Sequence, residues 1–231
     1  VEVDEKEILV RAELPGNNCG GCGFPGCDGL AAAIAAGTAP VNGCPVGGAP
    51  VADKIAAIMG VESGSSEKKV AFVKCKGTCD KTNVKYNYYG ITDCSMVTVA
   101  PGSGEKACAY GCMGYGSCVK ACQFDAIHVV DGVAVVDKEK CVACGKCVAT
   151  CPKGLIELVP YKAEHLVQCS SHDKGPAVKK VCTAGCIGCT LCTKQCEFDA
   201  IHMENNVAVI DYEKCTNCGK CAAKCPAKVI Q

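Results

Sequence analysis

Cys186, Cys189 and Cys192 form a C-x2-C-x2-C run followed by Cys196. Cys215, Cys218 and Cys221 repeat that spacing, followed by Cys225 and Pro226. No other feature constrains the chain so tightly. Two-residue gaps let one tight loop place three thiolates on three corners of an inorganic cubane, and the fourth corner must then come from elsewhere. In the bacterial two-cluster pattern the fourth cysteine of each run serves the other cluster. One 4Fe–4S cluster is therefore expected on Cys186, Cys189, Cys192 and Cys225, and a second on Cys215, Cys218, Cys221 and Cys196. Gly188, Gly219 and Gly145 let the backbone approach a cluster closely, where N–H groups can donate to sulfur. A zinc ribbon would use two C-x2-C pairs, not two triplets each with a trailing cysteine.

The pattern occurs twice. The segment CQFDAIHVVDGVAVVDKEKCVACGKCVATCPKGLI from Cys122 matches CEFDAIHMENNVAVIDYEKCTNCGKCAAKCPAKVI from Cys196, an offset of 74 residues. The offset also relates Cys108 to Cys182, Cys112 to Cys186, Cys118 to Cys192, Cys141 to Cys215 and Cys151 to Cys225 without an insertion. This is one module used twice. In the first copy Cys141, Cys144 and Cys147 are complete, with Cys122 as fourth ligand. The other half retains Cys112, Cys118 and Cys151, but Tyr115 stands at the middle position. Three readings stay open there: Cys108 loops in, which is favoured; the site holds a three-iron cluster; or an unusual ligand takes the open iron. Against Cys108, Cys182 holds the same repeat position although Cys189 already completes that set.

An N-terminal unit carries Cys19, Cys22, Cys27 and Cys44, spaced C-x2-C-x4-C-x16-C, with Pro45 after the last and glycines crowded around the first three. One 4Fe–4S cluster is the reading, with a zinc site as the alternative. Cys75, Cys79, Cys94, Cys169 and Cys182 remain. Cys75 and Cys79 follow a predicted strand as C-x3-C and, with Cys94 and one more, would make a sixth cluster; the alternative is buried free thiols. The count of 25 cysteines in 231 residues fits six sets of four and one over. Five clusters are expected, with the sixth open.

Composition agrees with a metal protein. Such cysteine density means a disulfide scaffold or metal sites. Disulfide scaffolds belong mainly to small secreted domains; this chain is longer, its cysteine number is odd, and it shows no signal-peptide core. With no Trp, 4 Phe and 7 Tyr an ordinary core is thin, so clusters are expected to replace part of it and folding to depend on metal. Formal charge is zero, but each 4Fe–4S core with four thiolates adds about two negative charges when oxidised. An acidic holo-protein argues against nucleic acid as partner. No stretch is long and apolar enough to span a bilayer.

The fold class read from this is α+β and loop-rich: a small helical N-terminal 4Fe–4S domain (residues 1–60), a polar linker (61–69), a connecting segment (70–107), and two ferredoxin-like modules (108–160 and 161–231). Helices are predicted over Gly29–Ala36 and Val51–Met59, closed by Gly37 and Gly60. A strand is predicted over Val70–Val73. Strand pairs are predicted over Ile127–Val130 with Val133–Val136 and Ile201–Glu204 with Val207–Ile210, turning at Asp131-Gly132 and Asn205-Asn206. His128, His202, Asp125, Asp199 and Tyr86, Tyr88 and Tyr89 read as packing or turn residues rather than ligands or radical carriers. Neither a G-x-G-x-x-G site nor a P-loop is present, and no catalytic constellation stands out.

The N-terminal LPGNNCGGCGFPGCDGLAAAIAAG with Cys44-Pro45, then KCKGTCDKTNVKYNYYGITDC and KACAYGCMGYGSCVKACQFDAI, resembles the B subunit of the Rnf complex in its extended, two-ferredoxin form. The Tyr115 departure sits in a stretch typical of that family; Gln123 and Glu197 replace the usual Pro and bear on turn geometry, not ligation. The resemblance implies a membrane ferredoxin:NAD+ oxidoreductase that couples electron flow to sodium or proton pumping. The B subunit would accept electrons from reduced ferredoxin and pass them to Rnf subunits carrying Fe–S centres and flavins. The resemblance also implies a position at the cytoplasmic face of the bacterial plasma membrane, and one transmembrane helix ahead of Val1-Glu2-Val3-Asp4. The alternative functions are a polyferredoxin subunit of a soluble hydrogenase- or heterodisulfide-reductase-type enzyme, and a non-redox zinc protein.

Overall fold

A computed structural model describes residues 4–64 and 67–231. Val1-Glu2-Val3, which the resemblance places after an anchor, and Ser65-Ser66 of the polar linker lie outside the described residues.

The N-terminal unit is helical. Helix α1 (Glu5–Glu13) starts at Asp4, whose carboxylate accepts from the Lys6 N–H, and carries Glu5 and Glu7 in its first turn, where the helix dipole favours acids. Helix α2 is Gly26–Ala35 and α3 is Gly48–Met59, ended by Gly60 in the left-handed conformation. Both begin about three residues before the predicted helices. Their apolar faces enclose Val10, Leu14, Leu30, Ala31, Ile34 and Ile55. Each large aliphatic side chain buried there contributes about 1.5–3 kcal/mol, and the cluster extends to Cys27 and Cys44.

The rest is built from short strands and one-turn helices. Strand β1 (Lys69–Val73) pairs antiparallel with β4 (Ile156–Pro160), Ala71 opposite Leu158. The two predicted hairpins form at the predicted residues: β2 (Ile127–Val130) with β3 (Val133–Val136), and β5 (Ile201–Glu204) with β6 (Val207–Ile210). Asp131, Gly132, Asn205 and Asn206 all have positive φ, as a type I′ hairpin turn requires. Val70, Val73, Ile127, Ile156 and Val159 form the core under the first module, and Val167, Ile201, Val207, Ile210 and Val229 the core under the second.

Four helices of five residues each carry the repeat: α5 (Ser117–Ala121), α6 (Lys146–Thr150), α8 (Leu191–Gln195) and α9 (Lys220–Lys224). Each ends on a cysteine in extended conformation, at Cys122, Cys151, Cys196 and Cys225. Two further helices, α4 (Cys94–Val97) and α7 (Gly175–Val181), lead into and up to cysteines. Among the described residues no helix is long and apolar enough to cross a membrane.

Candidate metal centres

Five cavities are each lined by four cysteines. Cys186, Cys189, Cys192 and Cys225 line one, and Cys196, Cys215, Cys218 and Cys221 another. Cys122, Cys141, Cys144 and Cys147 line a third. In each module the third cysteine of a run sits inside a one-turn helix and the fourth ends it. The extended backbone at that last residue turns its thiol into the neighbouring cavity. A single short helix thus serves two cavities, which is how the fourth ligand comes to be shared.

The cavity at the Tyr115 position is lined by Cys112, Cys118, Cys151 and Cys94. Cys108, expected to complete this set, lines a different cavity. Cys94 takes the place because α4 docks beside α5. Ser117 Oγ accepts the Cys94 N–H at 2.8 Å and donates to the Asp93 carboxylate at 2.9 Å. Asp93 also accepts the Ser95 N–H at 2.9 Å, capping α4. Bonds from Ser95 and Ser117 pull the Asp93 carboxyl down to about 2. Tyr115 turns away: its ring packs edge-on against Tyr88 at 5.7 Å. Burial, reinforced by Glu105, pushes its phenol up to about 12. Tyr115, left open by the sequence as the position of an unusual ligand, is not among the residues lining this cavity.

The fifth cavity is lined by Cys75, Cys108, Cys169 and Cys182. Cys75, Cys79 and Cys94, expected to share one site, are split: Cys75 is here, Cys94 beside Cys118, and Cys79 is exposed against the Asp131-Gly132 turn.

The N-terminal four gather at the foot of α2. Asn18 Oδ1 accepts the Cys27 N–H at 2.8 Å, and Cys44 Sγ accepts the Gly47 N–H at 3.4 Å. Burial raises the Cys44 thiol pKa, with Cys27 and Cys19 nearby adding to it.

The donor sets fit iron–sulfur clusters. Among the described residues no three His, Cys, Asp or Glu close on a point as around a single ion. The thiols instead stand around voids of about 320–410 Å³, open mouths included, and a cage around a volume suits a polynuclear core better than one tetrahedral ion. Backbone N–H groups point at the sulfurs in repeat-related pairs. Leu155 N–H donates to Cys151 Sγ and Val229 N–H to Cys225 Sγ, both at 3.4 Å. Ala71 N–H, from β1, donates to Cys141 Sγ at 3.3 Å. Gly145, Gly188 and Gly219 have φ between 65° and 76°, the left-handed turn that brings these loops close. Burial pushes the Cys118 thiol up to about 12 and those of Cys147, Cys169 and Cys192 up to about 11. As thiols these are protonated, so loading a metal must release their protons.

The N-terminal loop meets the first module. A Cβ on Gly21, between Cys19 and Cys22, would lie 2.6 Å from the Cys144 carbonyl oxygen, so the N-terminal loop rests on the first module's backbone.

Family profiles match three stretches: FeS, an Fe-S cluster family, over residues 14–46; the LdpA Fe-S cluster-binding domain over 117–162; and the 4Fe-4S dicluster domain over 185–230. The chain is 53% identical over 228 residues to the B subunit of the Na(+)-translocating ferredoxin:NAD(+) oxidoreductase complex of Acetobacterium woodii, covering 98% of this chain and 68% of that protein. It is 48% identical to the B subunit of the ion-translocating oxidoreductase complex of Methanosarcina acetivorans, over 100% of this chain and 88% of the relative. The chain belongs to the Rnf B-subunit family. A third family member, the B subunit of the proton-translocating ferredoxin:NAD(+) oxidoreductase complex of Clostridium ljungdahlii, is 42% identical over 100% of this chain and 82% of its own length. The three profiles leave Cys75, Cys79, Cys94, Cys108, Cys112, Cys169 and Cys182 outside their matched stretches.

Proposed function

We propose that this chain is an electron-relay subunit that accepts electrons from reduced ferredoxin and passes them to the Fe–S- and flavin-bearing subunits of a membrane complex that reduces NAD+ and moves ions. The observation that carries the reading is the shared-helix arrangement of α5, α6, α8 and α9, which closes four four-cysteine cages. Those cages are Cys122/Cys141/Cys144/Cys147, Cys94/Cys112/Cys118/Cys151, Cys186/Cys189/Cys192/Cys225 and Cys196/Cys215/Cys218/Cys221. Cys19, Cys22, Cys27 and Cys44 make a fifth ligand set. Residues 1–60, 108–160 and 161–231 are the corresponding units, joined by 61–107.

A 4Fe–4S cluster held in such a cage exchanges one electron at a time. The chain's own part is to fix the cages close together and to tune them. Backbone N–H donors on sulfur favour the reduced form, and the thin apolar shells under each module limit water. Chemistry on NAD+ then belongs to partner subunits. Likeness to the relatives supports a place at the cytoplasmic face of the bacterial plasma membrane.

The test mixes anaerobically purified protein with reduced ferredoxin and follows bleaching of the cluster absorbance. Bleaching at the expense of the ferredoxin signal is expected. Zinc in place of iron and acid-labile sulfide, or iron clusters that reduced ferredoxin leaves oxidised, would overturn the reading.

A further inference from the structure

The cavity lined by Cys75, Cys108, Cys169 and Cys182 falls outside both ferredoxin patterns and outside every matched family stretch. We infer that these four cysteines ligate a sixth 4Fe–4S cluster at the seam between the two modules, which makes the relay continuous. The inference rests on the electron-relay reading above and adds a ligand set and a position to it.

The four thiols converge from distant segments. A Cβ on Gly77 would be 3.6 Å from both the Cys75 and the Cys182 sulfurs, and one on Gly111 3.5 Å from Cys108 Sγ and 3.6 Å from Cys75 Sγ. Cys75 is thus within reach of two partners across a void of about 390 Å³, open mouth included, of the same order as the four module cavities at 320–410 Å³.

The cage is also furnished like the others. Cys75 Sγ accepts the Cys112 N–H at 3.3 Å and the Gly77 N–H at 3.4 Å. Cys169 Sγ accepts the Cys186 N–H at 3.2 Å and the Ser171 N–H at 3.5 Å. Thr82 Oγ1 donates to Cys182 Sγ at 3.7 Å. Lys106, buried in the wall, donates to the Gly77 carbonyl at 2.9 Å and the Gly132 carbonyl at 2.6 Å. Its cation offsets a thiolate cage that an apolar wall would penalise. Gln168 lines the void with Oε1 buried and unpartnered. Turned over, the same amide presents N–H donors to a sulfide there.

The repeat explains the ligand choice. Cys108 and Cys182 are equivalent positions of the two modules, each superfluous within its own. Both are used here, once. Residues 81–85 bring them together: Asn83 N–H donates to the Val181 carbonyl at 3.0 Å, and Ala107 N–H to the Asn83 carbonyl at 2.7 Å. Cys169 is set by the C-terminus, because Gln168 N–H donates to the Val229 carbonyl at 2.8 Å. Two ligands come from the side of the first module and two from the second, so the cage closes only when the modules dock.

The site touches both neighbouring cages. Cys112, a ligand in the first module, donates to Cys75, and Cys186, a ligand in the second, donates to Cys169. The order is then the N-terminal cage, the Cys141 cage, the Cys118 cage, the seam, the Cys192 cage and the Cys215 cage.

The test is iron and acid-labile sulfide per chain on the full protein, purified anaerobically, with EPR after dithionite. The wild type is expected to hold about 24 irons, six cubanes of four. Cys108→Ala/Cys182→Ala is expected to lose about four irons and four sulfides, with weakened spin coupling among the rest, and Cys79→Ala to lose none. A wild type with about 20 irons would overturn the inference while leaving the relay reading intact, as would a double variant that keeps its iron. Zinc without iron would instead sink the relay reading. If the double variant does not fold, the wild-type count and the single variant Cys169→Ala decide, the latter by losing at least one iron with a three-iron EPR signal in the oxidised protein, or by keeping every iron, which would overturn the inference.

Discussion

The Cys112 amide donates to the Cys75 sulfur at 3.3 Å. Cys112 lies in the first module, within the Cys94/Cys118/Cys151 cage; Cys75 lies two residues beyond the end of β1 and faces the seam. One hydrogen bond therefore joins two cages that sequence spacing alone keeps separate. The equivalent position in the second module, Cys186, makes the matching bond to Cys169 at 3.2 Å. The repeat donates twice toward the same cavity, from opposite sides.

Cys94 and Tyr115 exchange roles relative to a standard ferredoxin run. Cys94→Ala is expected to leave three ligands in the Cys112/Cys118/Cys151 cage and convert it to a three-iron site, seen as an isotropic EPR signal in the oxidised protein. Adding Tyr115→Cys to that variant restores the C-x2-C-x2-C run and should restore the fourth iron. If Cys108→Ala produces the three-iron signal and Cys94→Ala does not, the assignment is wrong.

Ser117 holds Cys94 in place. Ser117→Ala removes the acceptor of the Cys94 N–H and a donor to Asp93. An unsatisfied buried donor costs about 1–3 kcal/mol. The expected result is faster loss of iron to a chelator and the appearance of the same three-iron signal. A variant with unchanged iron retention would show that α4 is anchored by other contacts.

Gly21 sets the fit of the N-terminal loop on the first module. Gly21→Ala puts a methyl group 2.6 Å from the Cys144 carbonyl oxygen, and backbone is what must move. Overpacking of this kind costs about 1–3 kcal/mol. The N-terminal unit should keep its iron yet lose spin coupling to the first module, with the linker more open to protease. Wild-type coupling in the variant would place the contact elsewhere.

Lys153 has no counterpart in the second module, where Ala227 stands at the repeat position. It is half-buried, lines the Cys94 cage and donates to the Gly111 carbonyl at 3.1 Å. Burial lowers its pKa, while nearby Cys108, Cys112 and Cys75 act to raise it. Lys153→Ala removes a cation from between two cages. Reduction potentials there should fall by tens of millivolts, the size of a screened interaction of about 1 kcal/mol. Redox titration followed by EPR would show it, and unchanged midpoints would mean that the charge is fully screened.

Removal of iron should unfold most of the chain. Each apolar cluster holds only a handful of large side chains, while ordering each residue costs about 1–2 kcal/mol of backbone entropy. Oxidative destruction of the clusters with a chelator present is expected to abolish cooperative thermal unfolding by circular dichroism. A sharp transition in metal-free protein would show that the apolar clusters suffice.

Sequence alone determined the parts whose geometry is local. A C-x2-C-x2-C loop has few ways to hold three thiols, the offset of 74 residues carries every ligand of one module onto the other except at Tyr115, and Asp131-Gly132 and Asn205-Asn206 turn where hairpin chemistry requires. Three ferredoxin-pattern cysteine sets, both hairpins and α2 and α3 to within a few residues were legible for that reason. Tertiary structure decided the thiols that stand alone in the chain. Cys94 reaches its cage because Ser117 and Asp93 dock α4 on α5. Cys75, Cys108, Cys169 and Cys182 meet because β1 pairs with β4, residues 81–85 bond to both 105–107 and 180–183, and the C-terminus pins residues 166–168. A short spacing fixes a thiol by chain geometry, whereas a solitary cysteine takes its position from contacts between distant segments, and no local pattern records these.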